Sequence, residues 1–393
     1  MVVGVPKETL PGERRVALVP ADAAALTRAG LSVLIEAGAG DAAGFLDAAY
    51  AQAGASLATG RDEVFARAAV ILQVRVCGAN LLGRDADRSL LRQGQTVIGL
   101  CHPLTSAAAA RELGQRGVTL FSMELMPRIT RAQGMDALSS QSTIAGYKAT
   151  LIAADTLPRI FPMLMTAAGT IAASRVFVIG AGVIGLQAIA TARRLGAVVQ
   201  AYDVRPAVRD QLQSVGARFV ELKLEAAGAE DPGGYARALG EEFYRRQREL
   251  MTAVVAESDV VITTAFVPGS PAPRLITREA VERMSPGSVI VDVAAERGGN
   301  CELTRPGETI VHQGATIHGP LNLPSMVPYH ASQLYSKNLV AFLLHLTRDG
   351  RLALDRSDEI IAGTRVTRDG EVVHPRVREA LGLPATECAG SGS

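Results

Sequence analysis

The stretch RVFVIGAGVIGLQAIATARRLGA, residues 175–197, decides the fold of this chain. Its first five residues are mostly β-branched or aromatic and predict a strand, and its last part has apolar residues at helical spacing. Between them, Gly180, Gly182 and Gly185 form the pattern G-x-G-x-x-G. After a strand, the first glycine permits a tight turn, the second lets the backbone approach a pyrophosphate, and the third allows close helix–strand packing. The stretch therefore predicts the strand–turn–helix unit of a dinucleotide-binding domain.

An acidic residue at the end of the next predicted strand strengthens this interpretation. AVVQAYD ends at Asp203, where a carboxylate can hold both hydroxyls of an adenosine ribose and would repel a 2′-phosphate. The pattern favours NAD over NADP, although Arg205 lies close enough to accept a phosphate. A degenerate turn that binds no ligand remains the alternative.

Short apolar strands alternate with helical segments along most of the chain, which is typical of parallel sheets covered on both faces. The first predicted series is VVGV (2–5), SVLIE (32–36), AVILQV (69–74), TVIGL (96–100) and VTLFSM (118–123), and the second is RVFVIG (175–180), AVVQAYD (197–203), ARFVEL (217–222), DVVITT (259–264) and SVIVDV (288–293). We therefore predict an α/β fold with two doubly wound Rossmann-like domains and a cleft between them.

The two series set the expected domain boundaries. A segment with helical spacing near residues 324–346 predicts a second crossing between the domains. We expect the first domain to be discontinuous, with residues 1–140 completed by 325–393, and the NAD-binding domain to comprise 141–324. We expect the final AGSGS to be disordered.

Composition excludes several classes of function. The formal charge of the 393 residues is +1 and aromatic residues make up only 4%, so a nucleic-acid-binding protein is not expected. The four cysteines form no CxxC pair, which favours reduced thiols in a cytosolic protein. The longest nearly apolar run, residues 160–173, is shorter than the ~20 residues that a membrane helix needs. We expect neither a signal peptide nor direct membrane insertion.

A polar segment, RITRAQGMDALSSQSTIAGY (128–147), separates the two series. If it lines the cleft, it faces the nicotinamide end of the dinucleotide, whose carboxamide needs hydrogen-bond donors and acceptors. Arg128, Gln133, Asp136 and Ser139 offer that mixture. On pattern alone, an ordinary polar interdomain loop is an equal alternative.

At this point the sequence resembles a known family. MELMPRITRAQGMDALSSQS, FPMLMTAAGTI, VIGAGVIGLQAIATARRLGA, DPGGYARALGEEFYRRQ, ITTAFVPGSPAP and GTRVTRDGEVVHP are similar to the NAD(H)-binding component of proton-translocating nicotinamide nucleotide transhydrogenase. The similarity covers essentially the whole chain. It implies a homodimer that exchanges hydride between its own NAD(H) and the NADP(H) of a partner subunit, from NADH to NADP⁺, while a membrane-spanning subunit couples the transfer to proton translocation. It also implies a cytoplasmic protein held at the inner face of the membrane by its partners.

The resemblance also assigns residues. It places Arg128, Gln133 and Asp136 at the reacting nicotinamide, as the catalytic set, with Ser139 beside them. Further cofactor contacts follow from it: Val183 in the glycine turn, Val204 and Arg205 beside Asp203, Gly234, Gln247, and Phe266 where an aliphatic residue is expected. Tyr235 falls in DPGGYARALG, which resembles a loop that closes over the bound nucleotide; a surface loop capping an amphipathic helix is the alternative.

Hydride transfer does not require the acid–base, nucleophilic or metal-binding motifs that the polar segment lacks. Hydride transfer between two nicotinamides needs proximity, orientation and exclusion of water, but no general acid or base. We find no nucleophile elbow, no metal-ligand spacing and no catalytic dyad in the polar segment.

Two alternatives remain. Alanine dehydrogenase is a sister family, and Arg15 and His102 stand where that enzyme has its substrate arginine and catalytic histidine. Its lysine segment is not intact here, because Arg75 stands near it and the proline is missing, and Glu296 replaces an aspartate. The non-catalytic alternative is that His102 is a structural histidine at the edge of the core. A non-catalytic NAD sensor or scaffold is the alternative of another class.

Overall fold

The computed structural model describes residues 1–222, 241–266, 271–355 and 357–384. Within them the chain forms two compact units. Unit 1 contains Met1–Gln141 and the chain from Ser325 onward, and unit 2 contains Ser142–Pro324.

The strands of the described residues are numbered in chain order. They are β1 (Val2–Val5), β2 (Ser32–Glu36), β3 (Ser56–Ala58), β4 (Val70–Arg75), β5 (Thr96–Leu100), β6 (Thr119–Ser122), β7 (Leu164–Thr166), β8 (Gly169–Ile171), β9 (Arg175–Ile179), β10 (Val198–Tyr202), β11 (Arg218–Phe219), β12 (Val260–Thr263), β13 (Val289–Asp292), β14 (Thr309–His312), β15 (Ala315–His318), β16 (Thr347–Arg348), β17 (Arg351–Leu352), β18 (Arg365–Arg368) and β19 (Glu371–Val372).

The α-helices are numbered in the same way. They are α1 (Pro20–Arg28), α2 (Asp47–Gln52), α3 (Arg61–Arg67), α4 (Arg84–Leu90), α5 (Ala107–Gln115), α6 (Ala137–Thr156), α7 (Val183–Arg194), α8 (Arg209–Ser214), α9 (Glu241–Ala256), α10 (Arg278–Glu282), α11 (Pro328–His345), α12 (Glu359–Thr364) and α13 (Pro375–Ala380).

Unit 1 is built on an eight-stranded sheet with the order β19-β18-β6-β5-β4-β1-β2-β3. Strands β1 to β6 pair in parallel, and β18 joins β6 antiparallel. The core strand β4 is buried along its whole length, as expected of a parallel strand covered on both faces. The C-terminal region of the chain thus completes the sheet that the N-terminal region begins.

Unit 2 repeats the same arrangement with a seven-stranded sheet, β11-β10-β9-β12-β13-β15-β14. The order of β9 to β13 and β15 is that of the doubly wound dinucleotide-binding fold, with the strand order reversing between β9 and β12. Strand β14 adds an antiparallel edge. In such sheets ligands bind at the carboxyl ends of the strands where the order reverses, and β9 leads into the glycine turn at that position.

The predicted α/β fold with two parallel sheets is confirmed, and all ten predicted strands occur, with ends that differ by a few residues. The strands that pattern analysis missed are β3, β7, β8 and β14 to β19. They have two to four residues each and are mostly antiparallel or lie at sheet edges, so they carry too few residues for a periodic signal. In the described part of the chain, none of the helices is long and apolar enough to cross a membrane. The predicted disordered end lies outside the described residues.

Candidate functional site

The glycine turn between β9 and α7 has the geometry that its sequence predicts. Gly180 has φ +96°, a conformation that side chains rarely adopt. A Cβ on Gly185 would lie 1.8 Å from the carbonyl oxygen of Gly180, so only glycine fits there. Gly182, in contrast, is exposed, and a Cβ on it would meet no atom within 4 Å. Gly180 is therefore required by its backbone conformation and Gly185 by close packing, whereas Gly182 leaves the backbone accessible from outside.

Asp203 follows β10 and is bonded directly to the glycine turn. Its Oδ2 accepts a hydrogen bond from the backbone N–H of Ala181 at 2.7 Å. Its Oδ1 accepts from the backbone N–H and the Nε of Arg205, both at 2.9 Å, and Nη2 of Arg205 donates to Oδ2 at 3.0 Å. The ion pair is largely buried. The structure thus brings Asp203, Arg205 and the glycine turn together, and Arg205 is already neutralised by Asp203.

Apolar residues lie near the glycine turn and near the Asp203–Arg205 pair in the sequence. Val183 is the first residue of α7, and Val204 packs against the core of unit 2. Phe266 is half-buried just after β12. Asn300 fixes the backbone there, because its Oδ1 accepts from the N–H of Ala265 at 3.0 Å while its Nδ2 donates to the carbonyl of Ala265 at 2.7 Å.

Gln247 does not lie at the surface of unit 2. Its side chain is 1% exposed, and its Nε2 donates to the hydroxyl of Tyr202 at 3.1 Å. Its Oε1 is buried and has no hydrogen-bond partner among the described residues. Burial raises the pKa of the Tyr202 hydroxyl to about 12. A cofactor contact of Gln247 therefore remains a prediction, and Gly234 and Tyr235 lie outside the described residues.

The polar segment contains a 3-10 helix, Thr130–Met135, and the first turns of α6. Asp136 caps α6: its Oδ1 accepts from the backbone N–H of Ser139 at 2.9 Å and its Oδ2 from the Ser139 hydroxyl at 2.6 Å. This contact is the N-cap interaction that satisfies an otherwise unpaired N–H in the first turn. Two of the predicted site residues are thus brought together, while Arg128 and Gln133 are exposed.

Unit 1 also contains a buried ionic cluster. Both oxygens of Glu13 accept from Arg15, at 2.8 Å from Nε and 2.6 Å from Nη2, and Oε2 of Glu13 also accepts from Nε of Arg75 at 3.2 Å. Nη1 of Arg15 donates to Oε1 of Gln141 at 2.8 Å. Nη1 of Arg75 lies 3.4 Å from Nε2 of His102. Arg15 and His102 are therefore joined through one network, in which both arginines share the single carboxylate of Glu13.

His102 has φ +47°, which is unusual for a residue with a side chain. Glu124 holds this conformation, since its Oε1 accepts from the backbone N–H of His102 at 2.7 Å and of Cys101 at 3.0 Å. Glu124 belongs to MELMPR, directly before the polar segment. The sequence analysis assigned Glu124 no role. Its position between the apolar residues Met123 and Leu125 was the one available sign that its carboxylate bonds to the backbone.

The fold and these contacts define a two-unit α/β protein with a dinucleotide-type glycine turn. The N-terminal domain profile described as "Alanine dehydrogenase/PNT" matches residues 4–145, and the corresponding C-terminal domain profile matches residues 149–375. The chain therefore belongs to the alanine dehydrogenase/PNT family, a family of oxidoreductases.

Individual relatives divide between two activities. An NAD(P) transhydrogenase subunit alpha protein of Rhodospirillum rubrum is 46% identical, and the match covers 95% of this chain and 98% of that protein's length. The crystal structure of a transhydrogenase from Sinorhizobium meliloti matches with a TM-score of 0.84 and 44% identity, over 95% of this chain and 100% of that one. The alanine dehydrogenase of Mycobacterium tuberculosis is 32% identical over 99% of both chains.

Proposed function

We propose that this chain is the NAD(H)-binding subunit of a proton-translocating NAD(P)⁺ transhydrogenase. The observation that carries the proposal is the glycine turn at the point where the strand order of unit 2 reverses, with Asp203 bonded to it. The identity with transhydrogenase alpha subunits, which exceeds that with alanine dehydrogenase, supports the choice between the two activities of the family.

The residues present fit a dinucleotide. The open side of Gly182 leaves room for a pyrophosphate, and the N–H groups at the start of α7 supply hydrogen bonds and positive dipole to it. Asp203 would hold the adenosine ribose, with Val183, Val204 and Arg205 around it. Because Arg205 is paired with Asp203, a 2′-phosphate would meet a carboxylate rather than an uncommitted cation. We therefore propose NAD(H) rather than NADP(H) as the ligand.

The nicotinamide, when bound, supplies the hydride and so carries the chemistry itself. The residues of this chain have to orient it and exclude water. We assign this task to Arg128, Gln133, Asp136 and Ser139, with Phe266 as an apolar wall. We also propose that the segment containing Gly234 and Tyr235 and the side chain of Gln247 complete the cofactor contacts.

The acceptor lies on another protein in this proposal. An NADP-binding subunit receives the hydride, and a membrane-spanning subunit couples the transfer to proton translocation. These partners would hold the present chain at the cytoplasmic face of the membrane. We also propose that it acts as a homodimer.

Calorimetric titration of the isolated chain tests the cofactor. We expect NADH to bind and NADPH to bind at least tenfold more weakly. Equal or tighter binding of NADPH would overturn the assignment.

Alanine dehydrogenase is the second candidate, and the contact between Arg75 and His102 is the observation that favours it. An amino-acid substrate needs a cation for its carboxylate, and Arg15 and Arg75 share the single carboxylate of Glu13. Because the lysine segment of alanine dehydrogenase is not intact in this sequence, we expect no NAD⁺ reduction with alanine and no NADH oxidation with pyruvate and ammonia. A non-catalytic sensor would also fail these assays, and it is distinguished by its failure to transfer hydride to an NADP-loaded partner.

A further inference from the structure

The polar segment is held in place by the C-terminal region of unit 1. The 3-10 helix Thr130–Met135 packs against α11. From α11, Nδ2 of Asn338 donates to the carbonyl of Gly134 at 2.8 Å, and its Oδ1 accepts from the hydroxyl of Ser140 at 2.7 Å. One amide group thus bonds to both ends of a seven-residue stretch that contains Asp136 and Ser139 and that begins next to Gln133.

Asn338 is an unusual residue for its position. It is 8% exposed and lies in a part of α11 where Leu339 and Val340 are buried as well. Burying an amide costs free energy unless its donor and acceptor are both satisfied. At Asn338 the donor and the acceptor are each satisfied by the polar segment, so the residue connects α11 to this segment.

One of the two Asn338 bonds is made to Gly134, a residue without a side chain to hold it in place. Gly134 is exposed, and a Cβ on it would meet no atom within 4 Å, so no side-chain packing restricts this residue. Glycine also has the largest range of backbone conformations. The bond from Asn338 to the Gly134 carbonyl therefore limits the motion of the backbone directly after Gln133.

We infer that Asn338 is a positioning residue for hydride transfer: it holds the backbone of residues 134–140 so that Gln133 and Asp136 are correctly oriented. The inference rests on the proposed function, because it takes Gln133 and Asp136 to act at the nicotinamide. Asn338 itself is not assigned a contact with the cofactor.

Asn338→Ala removes both bonds, and Ser336→Ala is the matched control. Ser336 lies on the same helix, is also buried, and bonds instead to the N–H of Val19 and the carboxylate of Asp22. Ser140→Ala removes only one of the two Asn338 bonds and serves if Asn338→Ala does not fold. For each variant, the rate of hydride transfer to an NADP-loaded partner, the NADH Kd and amide hydrogen exchange over residues 130–140 are measured.

We expect Asn338→Ala to slow transfer about tenfold, since small errors in orientation are costly in such reactions, while the NADH Kd stays within twofold. Amide exchange over residues 130–140 should become faster, and Ser140→Ala should show smaller changes in the same direction. Ser336→Ala should change none of these quantities.

Unchanged amide exchange in Asn338→Ala, a transfer rate within twofold of the wild type, or a rise in Kd that matches the loss of rate would each overturn the inference. Failure of the proposed function is recognised separately, because the wild-type chain would then transfer no hydride, whereas the exchange measurement still reports on the anchor.

Discussion

At the scale of single residues, the Asp203–Arg205 pair determines the expected choice of cofactor. The carboxylate accepts from Ala181 and from Arg205, so it fixes the glycine turn and keeps the guanidinium neutralised. A buried, hydrogen-bonded charge pair is sensitive to the loss of one partner. Changes at Asp203 should therefore affect both affinity and discrimination.

We predict that Asp203→Ala weakens NADH binding at least tenfold and reduces the preference for NADH over NADPH. The change removes the proposed ribose acceptor and leaves Arg205 available to a 2′-phosphate. Calorimetric titration with both nucleotides measures the effect, and Asp210→Ala, at an exposed position on α8, is the control. Unaltered discrimination in a folded Asp203→Ala protein would contradict the assignment of the ribose site.

His374 is expected to make the free energy of unfolding depend on pH. Burial, assisted by the nearby charge of Arg376, lowers the pKa of His374 to about 4. The unfolded chain binds this proton near pH 6.5, whereas the folded chain resists it. The free energy of unfolding should therefore be highest above pH 6.5 and fall by about 3 kcal/mol between pH 6.5 and 4 because of this group.

Urea unfolding of the wild type and of His374→Gln across this pH range tests the prediction. The variant should lose most of this part of the pH dependence, and His330→Gln, at an exposed position, should retain it. Parallel curves for the wild type and His374→Gln would show that another group is responsible.

Residue roles could be predicted from sequence only where a motif has a local mechanism. The functions of Gly180 and Gly185 follow from their spacing, and Asp203 follows from its place after a strand. Asn338 could not be predicted in this way, because its partners Gly134 and Ser140 lie about 200 positions earlier in the chain. The local sequence singles it out no better, since α11 also contains Gln333, Ser336 and Lys337.

At the scale of elements, the turn between β9 and α7 offers a direct test for a bound pyrophosphate. Gly182 has φ −75° and nothing near its Cβ position, so the unliganded protein tolerates alanine there. We predict that Gly182→Ala unfolds at the same temperature as the wild type but binds NADH at least tenfold more weakly. Gly185→Ala should lose stability as well, because its Cβ would collide with the Gly180 carbonyl. Normal NADH binding by Gly182→Ala would mean that no ligand approaches this turn.

Among the strands that the sequence pattern did not predict, those of the hairpin β7–β8 expose large apolar side chains. All six of its strand residues are exposed, and Met165 is 76% exposed. A cavity of about 790 Å³ adjoins it, lined by Phe161, Leu195 and the hairpin's own Leu164 and Ile171. An isolated two-stranded hairpin is only marginally stable in water. Because protruding and recessed apolar surfaces share one face, a second copy of the chain could cover both in a symmetric dimer.

If the chain forms the proposed homodimer, we predict that Met165→Asp yields a monomer of 41.1 kDa in sedimentation experiments at micromolar concentration, whereas the wild type sediments as a dimer. Val311→Asp is the control, since Val311 is 69% exposed on the edge strand β14 of the same unit, and it should remain a dimer. A monomeric wild type, or a dimer that persists in Met165→Asp, would contradict this use of the hairpin.

At the scale of the whole molecule, the two sheets were predictable because long parallel strands are continuous apolar runs. Both units share one strand order, but only unit 2 has the glycine turn, and unit 1 has Glu13, Arg15 and Arg75 in a buried network instead. Local patterns therefore indicated which unit binds the dinucleotide. They could not show that β18 closes the first sheet, since this pairing joins residues about 245 positions apart.

In the proposed function this chain presents a bound nicotinamide to a second protein, so stopped-flow measurement of hydride transfer to an NADP-loaded partner is the decisive experiment. We predict transfer by the wild type only when the partner is present. Gln133→Asn, which shortens an exposed side chain by one methylene, should slow transfer by up to about 10²-fold with little change in the NADH Kd. Gln52→Asn, an equivalent change at an exposed position on α2, should have no effect. Unchanged transfer by Gln133→Asn, or oxidation of alanine by the wild-type chain alone, would contradict the proposed transhydrogenase function.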